Sequence, residues 1–286
     1  TGCIVKEVQL KGDRLCYKKI CGDGPQIGWV SLRTKDTDLL VRRNKDDPAE
    51  SVSAQGAELA KQEVTVVATD GSEAVRLRAI AHMAKNGGLS DCALVFCPGN
   101  PLDDFMADRA TSPLALALEE AFCRSGIATL SFDYCGFGMS AQDCAGGLQE
   151  ESIPGVHQLE TQALAVVAWA KKYVSKTIIV AGYSYGASVA LSVALSKQVL
   201  LYIGFSIAPL VWQFHDPGPS QDFARSDAER HKDMDIPAFL VCGSEDTTTP
   251  VREVERLVQL RHDSGSAAVV KELDGCDHTF RGFEAE

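Results

Sequence analysis

From Glu63 to Glu286, short apolar runs alternate with longer amphipathic or small-residue segments, and this alternation constrains the fold more than any other feature. "EVTVVAT" and "VRLRAIAHMA" read as a hairpin turning at "DGSEA". There follow a strand "CALVFC", a helix "SPLALALEEAFCRSG", a strand "IATLSFDY", a helix "VHQLETQALAVVAWAKKYV", a strand "KTIIVA" and a helix "ASVALSVALSK". A strand "VLLYIGFSIAP", a strand "IPAFLVCG", a helix "PVREVERLVQLRH" and a strand "AAVVKELDG" complete the series. Strands that succeed one another through helices must cross over, so they lie parallel, and both faces of their sheet are covered by helices. The class is α/β with a mostly parallel sheet, and ligands of such sheets bind at the carboxyl ends of strands.

Residues 1–45 read differently: "CIVKEVQL", "DRLCYKKI", "IGWVSLRT" and "DLLVRR" are short β-type runs divided by Gly- and Asp-containing breaks. They predict a small antiparallel β module. The stretch "GPQIGWVSLRTKDTDLLV" resembles an SH3-like small barrel repeat, mainly through Gly28, Trp29, Val30, Ser31 and Leu32. That resemblance implies an accessory or scaffolding module, a place where a protein partner would bind, with no chemistry attached. On the plainer reading Trp29 is the core anchor of a β unit. Residues 46–62 are polar, contain Pro48, and read as a linker with a short helix near its end. The division is thus 1–45, 46–62 and 63–286.

With 45% hydrophobic and 23% charged residues, the chain has the composition of a soluble globular protein. No apolar run approaches the roughly 18 residues a membrane span requires, and no secretory leader opens the chain. A start at Thr1 leaves room for an upstream targeting segment. The net charge of −11, unbroken by a basic cluster, argues against nucleic acid as a partner. Ten cysteines are scattered, several within apolar strands, as expected of reduced small hydrophobes in the cytoplasm or another reducing compartment. None shows C-x-x-C spacing, so a structural zinc site has little support.

The stretch "GYSYG" at 182–186 stands between a predicted strand and a predicted helix. It could be an ordinary turn, since glycine and serine are common there. It also has the form of a nucleophile elbow, in which a strained turn lifts the serine clear of the sheet and aims the next N–H at a developing oxyanion. A serine hydroxyl needs a base, and the base needs a carboxylate to orient it. Asp246 lies in the loop after "AFLVCG", with Glu245 as its competitor; its spacing from Gly243 favours Asp246. His278 lies just past the last strand, whereas His82, His157, His215, His231 and His262 occupy helix-like or polar stretches and read as structural or exposed.

"GYSYGA", "FDYCGFGMS", "VCGSEDTTTP" and "GCDHTF" together resemble the α/β-hydrolase superfamily, over about residues 63–286. The closest likeness is to its small, nearly lidless serine hydrolases of dienelactone-hydrolase or acyl-thioesterase type. The second segment matches the family's D-x-x-G-x-G-x-S pattern through Asp133, Gly136, Gly138 and Ser140. The resemblance implies Ser184 as nucleophile, His278 as base and Asp246 as its orienting acid, with no metal or organic cofactor. The oxyanion donors would be the N–H of Tyr185 and that of Asn100 or Gly99, in the loop "FCPGNPLDD" where many relatives carry His-Gly. Cys97, ending a buried strand, reads as packing.

The interval from Leu210 to Asp235, where relatives often insert a helical cap, has room for one short helix and a loop. An open cleft follows, favouring accessible acyl esters or thioesters as substrates. Trp212, Phe214 and Phe223 would supply an apolar wall or else pack locally; Tyr183 is expected to pack and Tyr185 to border the cleft. Two other functional classes stay open: an acyltransferase or lyase on the same fold, and a non-catalytic binding or scaffolding protein.

Overall fold

The structure, a computed structural model, describes residues 4–21, 27–34, 37–38, 59–70, 73–99, 112–141, 156–196, 198–207 and 227–282. The chain divides into two compact units, Thr1–Gln55 and Gly56–Glu286.

In the first unit, β1 (Ile4–Lys11), β2 (Arg14–Cys21) and β3 (Ile27–Ser31) form an antiparallel sheet in that order, and β4 (Arg33–Thr34) pairs with β5 (Thr37–Asp38). Lys11 pairs with Arg14 across the two-residue turn Gly12-Asp13, and Gly12 has φ +59°, as the first position of a primed hairpin turn demands. Among the described residues of this unit Leu15 is buried, whereas Trp29 is 43% exposed. The expectation that Trp29 anchors the core therefore fails. Trp29 pairs with Cys16 and Val30 with Leu15, so strand alternation sends Trp29 to the face opposite Leu15.

In the second unit an eight-stranded sheet has the order β13-β12-β11-β10-β8-β9-β7-β6. Its strands are β6 (Leu59–Asp70), β7 (Glu73–Ala84), β8 (Ala93–Cys97), β9 (Ala128–Phe132), β10 (Ile178–Tyr183), β11 (Leu201–Phe205), β12 (Ala238–Gly243) and β13 (Ala268–Leu273). β8 to β13 pair in parallel, and the β6/β7 hairpin adds antiparallel against β9. Among the described residues the helices are α1 (Pro113–Arg124), α2 (Val156–Tyr173), α3 (Tyr185–Leu195), α4 (Asp227–Asp233) and α5 (Val251–Asp263).

Alternation along each strand splits the core in two. Val95, Cys97, Val180, Leu240 and Cys242 face α2, α3 and α5, while Leu94, Phe96, Ala181 and Val241 face the side that α1 covers. α3 is buried on all sides, from Tyr185 to Ala194. Its small residues let it lie close to β10 and β11, and each fully buried valine or leucine contributes about 1.5–3 kcal/mol.

β6 begins at Leu59, so the last four residues of the segment read as linker are strand and no helix forms there. Leu59 pairs with Ala84 on a sheet edge, where exposed Lys61, Gln62 and Glu63 hide the β pattern behind polar side chains. One expectation about cysteines also needs correcting. Cys16, Cys92, Cys97, Cys123, Cys242 and Cys276 form no disulfide, but Cys135 is disulfide-bonded. The expectation that the cysteines are reduced therefore fails at Cys135, which is buried in a turn beyond β9 rather than inside a strand.

Candidate active site

β10 carries the chain to the middle of the sheet and ends at Tyr183; α3 starts at Tyr185. Ser184 between them has φ +51° and ψ −117°, a region that non-glycine residues seldom enter. Serine at a helix N-terminus usually caps it, yet this side chain makes no capping bond. The flanking glycines explain how the turn is possible. A Cβ on Gly182 would come within 2.1 Å of the Gly186 carbonyl oxygen, and one on Gly186 within 2.0 Å of the Pro98 oxygen. Both positions therefore require glycine, and the turn is a strained elbow rather than an ordinary one.

Ser184 Oγ lies 3.0 Å from His278 Nε2, and His278 Nδ1 lies 2.9 Å from Asp246 Oδ2. An ionised carboxylate only accepts, so Nδ1–H donates to Asp246 and Nε2 is left to accept the serine proton. The Asp246 side chain is fully buried and that of His278 is 22% exposed. Asp246 Oδ1 accepts from the N–H groups of Thr248 and Thr249, at 2.9 and 2.7 Å. Burial raises the Asp246 carboxyl pKa, but the hydrogen bond to His278, the Ser206 hydroxyl beside it, the charge of His278 and the Thr249 N–H together bring it below its ordinary value. Glu245 is exposed, and its N–H donates to the Cys276 carbonyl at 2.9 Å, tying the acid loop to the histidine loop.

Gly243 sits so close to that loop that a Cβ would meet the Cys276 oxygen at 2.1 Å. Asp133 accepts from the Met139 N–H at 2.9 Å, and Ser140 Oγ accepts from the Arg78 N–H at 2.8 Å while donating to the Asp133 carbonyl at 2.9 Å. The D-x-x-G-x-G-x-S segment thus closes a turn beyond β9. Burial pushes the Cys97 thiol pKa far up, in keeping with a packing role.

Tyr185 heads α3, where leading N–H groups point out of the helix. Its side chain is 4% exposed and belongs to the core. Tyr183 packs, as expected. Gly99 is buried beside Tyr183. Asn100, Trp212, Phe214 and Phe223 lie outside the described residues, as do His157's side chain and His215. His82 bonds Thr129, His262 bonds the Ala268 carbonyl, and His231 is fully buried. Sequence reasoning passed over Thr248, Thr249 and Ser206. The run Asp-Thr-Thr-Thr, an aspartate followed by groups it can cap two and three residues on, was the available signal for the first two.

No family model matches the chain, and no curated protein is significantly similar to it in sequence. Solved structures do resemble it. An esterase from Pyrococcus furiosus is 17% identical with a TM-score of 0.59, over 80% of this chain and 87% of its own. An α/β serine hydrolase homologue from Coxiella burnetii is 18% identical with a TM-score of 0.55, over 78% and 91%. An α/β serine hydrolase without a lid from Xanthomonas campestris is 15% identical with a TM-score of 0.54, over 77% and 87%. At such identities the likeness is one of fold, and by it and the sheet order the second unit has the α/β-hydrolase fold.

Proposed function

We propose that this chain is a serine hydrolase that cleaves carboxylic ester or thioester bonds through an acyl-serine intermediate. The observation that carries the reading is the unbroken hydrogen-bonded line from Asp246 through His278 to a serine held at φ +51°. Nothing in packing a strand-to-helix turn requires that conformation, and a base within 3.0 Å of the hydroxyl is what a serine nucleophile needs.

In the proposed reaction Ser184 Oγ attacks the carbonyl carbon as its proton passes to His278 Nε2. Asp246 stabilises the resulting imidazolium. The oxyanion accepts from the N–H of Tyr185 and that of Asn100 or Gly99; each such donor contributes roughly 10²–10³-fold to rate. Collapse breaks the bond to the alcohol or thiol, which leaves with the proton from Nε2. Water, deprotonated by the same nitrogen, then attacks the acyl-serine and releases the acid. No step calls for a metal or cofactor.

Trp212, Phe214 and Phe223 are the proposed apolar wall for the acyl chain, and the first unit is read as an SH3-like accessory module. The test is labelling by a fluorophosphonate probe. Stoichiometric labelling lost in Ser184→Ala is expected; a folded protein that does not react refutes the reading.

A further inference from the structure

Tyr183 precedes the nucleophile and has so far only filled space. Its hydroxyl donates to the His278 carbonyl oxygen at 2.8 Å, joining two residues 95 apart in sequence. Its ring centroid lies 5.4 Å from the His278 imidazole and 6.0 Å from the Phe280 ring, the latter edge-on. On another side, a Cβ added to Gly99 would reach its Cδ1 at 2.7 Å. One buried side chain, 3% exposed, thus touches the histidine loop and the loop after β8, and is covalently next to Ser184.

The histidine loop has reason to need such a support. Phe280 has φ +56°, a conformation rare for a bulky residue and kept only where its surroundings impose it. Tyr183 and Phe205 flank the Phe280 ring, with Phe205 5.9 Å away. The Nδ1 bond to Asp246 and the Nε2 bond to Ser184 fix the plane of the imidazole, but neither fixes the backbone that carries it. The tyrosine bond acts on that backbone.

We infer that Tyr183 is a positioning residue that holds the His278 backbone so that the imidazole stays in line between Ser184 and Asp246. The inference rests on the serine-hydrolase reading of this site. Tyr183→Phe removes the hydroxyl and keeps the ring, so it isolates the bond. Sub-ångström to ångström displacement of a reacting group costs up to about 10²-fold in rate, so labelling by the fluorophosphonate and kcat on a p-nitrophenyl ester are expected to fall roughly 10- to 100-fold. KM should stay within about twofold, since the bond contacts no part of the substrate. The downfield Nδ1–H proton resonance of His278 should broaden or vanish, with little change in Tm.

Wild-type labelling together with an intact resonance in Tyr183→Phe would overturn the inference. A lowered Tm with kcat preserved would equally overturn it, because the bond would then serve stability alone. Gly99→Ala gives an independent perturbation by pressing on the ring from the other side; it should displace the same resonance, and an unmoved resonance counts against the ring's part. If the wild type itself fails to label, the hydrolase reading falls, while the resonance comparison still decides whether Tyr183 orients His278.

Discussion

His231 offers a stability measurement whose size follows from its surroundings. The residue is fully buried on α4, its imidazole 5.6 Å from the Tyr202 ring, and neither ring nitrogen has a hydrogen-bond partner among the described residues. Burial, then the charges of Arg261 and Arg230, lower its pKa to about 3 from an ordinary 6.5. Folded protein therefore keeps the ring neutral at pH 5, whereas the unfolded chain protonates it below pH 6.5. The unfolded state binds more protons, so stability falls as pH drops, beginning near 6.5 and ending near 3. At 1.36 kcal/mol per pKa unit, the loss between pH 8 and pH 5 is ~2 kcal/mol, and it hardly depends on the folded value once that lies below 4. Urea unfolding at the two pH values, on the wild type and on His231→Phe, isolates this contribution. Contributions common to the two proteins cancel in the comparison. Asp246, whose pKa is depressed, supports stability above its unfolded value of 3.8 and loses that support only below it, outside the window. The wild type should lose ~2 kcal/mol more than the variant. Equal losses would show that His231 is not a buried neutral ring and refute the reasoning.

Asp246→Asn keeps the shape of the acid but lets the imidazole adopt the wrong tautomer, so kcat should fall roughly 10⁴-fold while urea stability changes little, measured on any ester the wild type hydrolyses. Gly186→Ala drives a Cβ to 2.0 Å from the Pro98 oxygen, which only backbone movement relieves; a stability loss of at least ~2 kcal/mol and loss of phosphonate labelling are expected, by urea unfolding and gel fluorescence. Arg261 is buried and donates to the carbonyls of His231, Met234, Ile236 and Ala267. Arg261→Met strands those acceptors and should cost ~3 kcal/mol or more in the same assay, with unchanged stability counting against the account.

The strands and helices of the second unit were legible because each buried element carries its period in its apolar residues: α3 could hardly be anything but a central helix. The placing of Ser184, Asp246 and His278 together was legible as well, through chain order and position at strand ends; spacing from Gly243 favoured Asp246 over Glu245, and the geometry puts Asp246 against His278. Edges were harder to read. β6 hides its first residues behind Lys61, Gln62 and Glu63, since an edge strand has a face that tolerates charge. Trp29 misled because a large aromatic suggests a core, whereas strand pairing sets the face and put Leu15 inside. Tyr183 acts through a hydroxyl aimed at a carbonyl far along the chain, and no local pattern encodes a bond across 95 residues.

The separation of the three central residues also orders events during synthesis. Ser184 and His278 are 94 positions apart, and β12, β13 and the acid loop all lie between. A chain made from its N-terminus can pair β8 with β10 and form the elbow while the ribosome is still translating the rest. On the proposed mechanism the base is still missing at that stage, so the strained serine would be present without reactivity. On that mechanism chemistry would begin only once β13 and its following loop have joined the sheet, and reaction with a phosphonate would report that step. A ribosome-bound chain arrested before His278 should remain unlabelled, and labelling of such a chain would show that the elbow is activated without its imidazole.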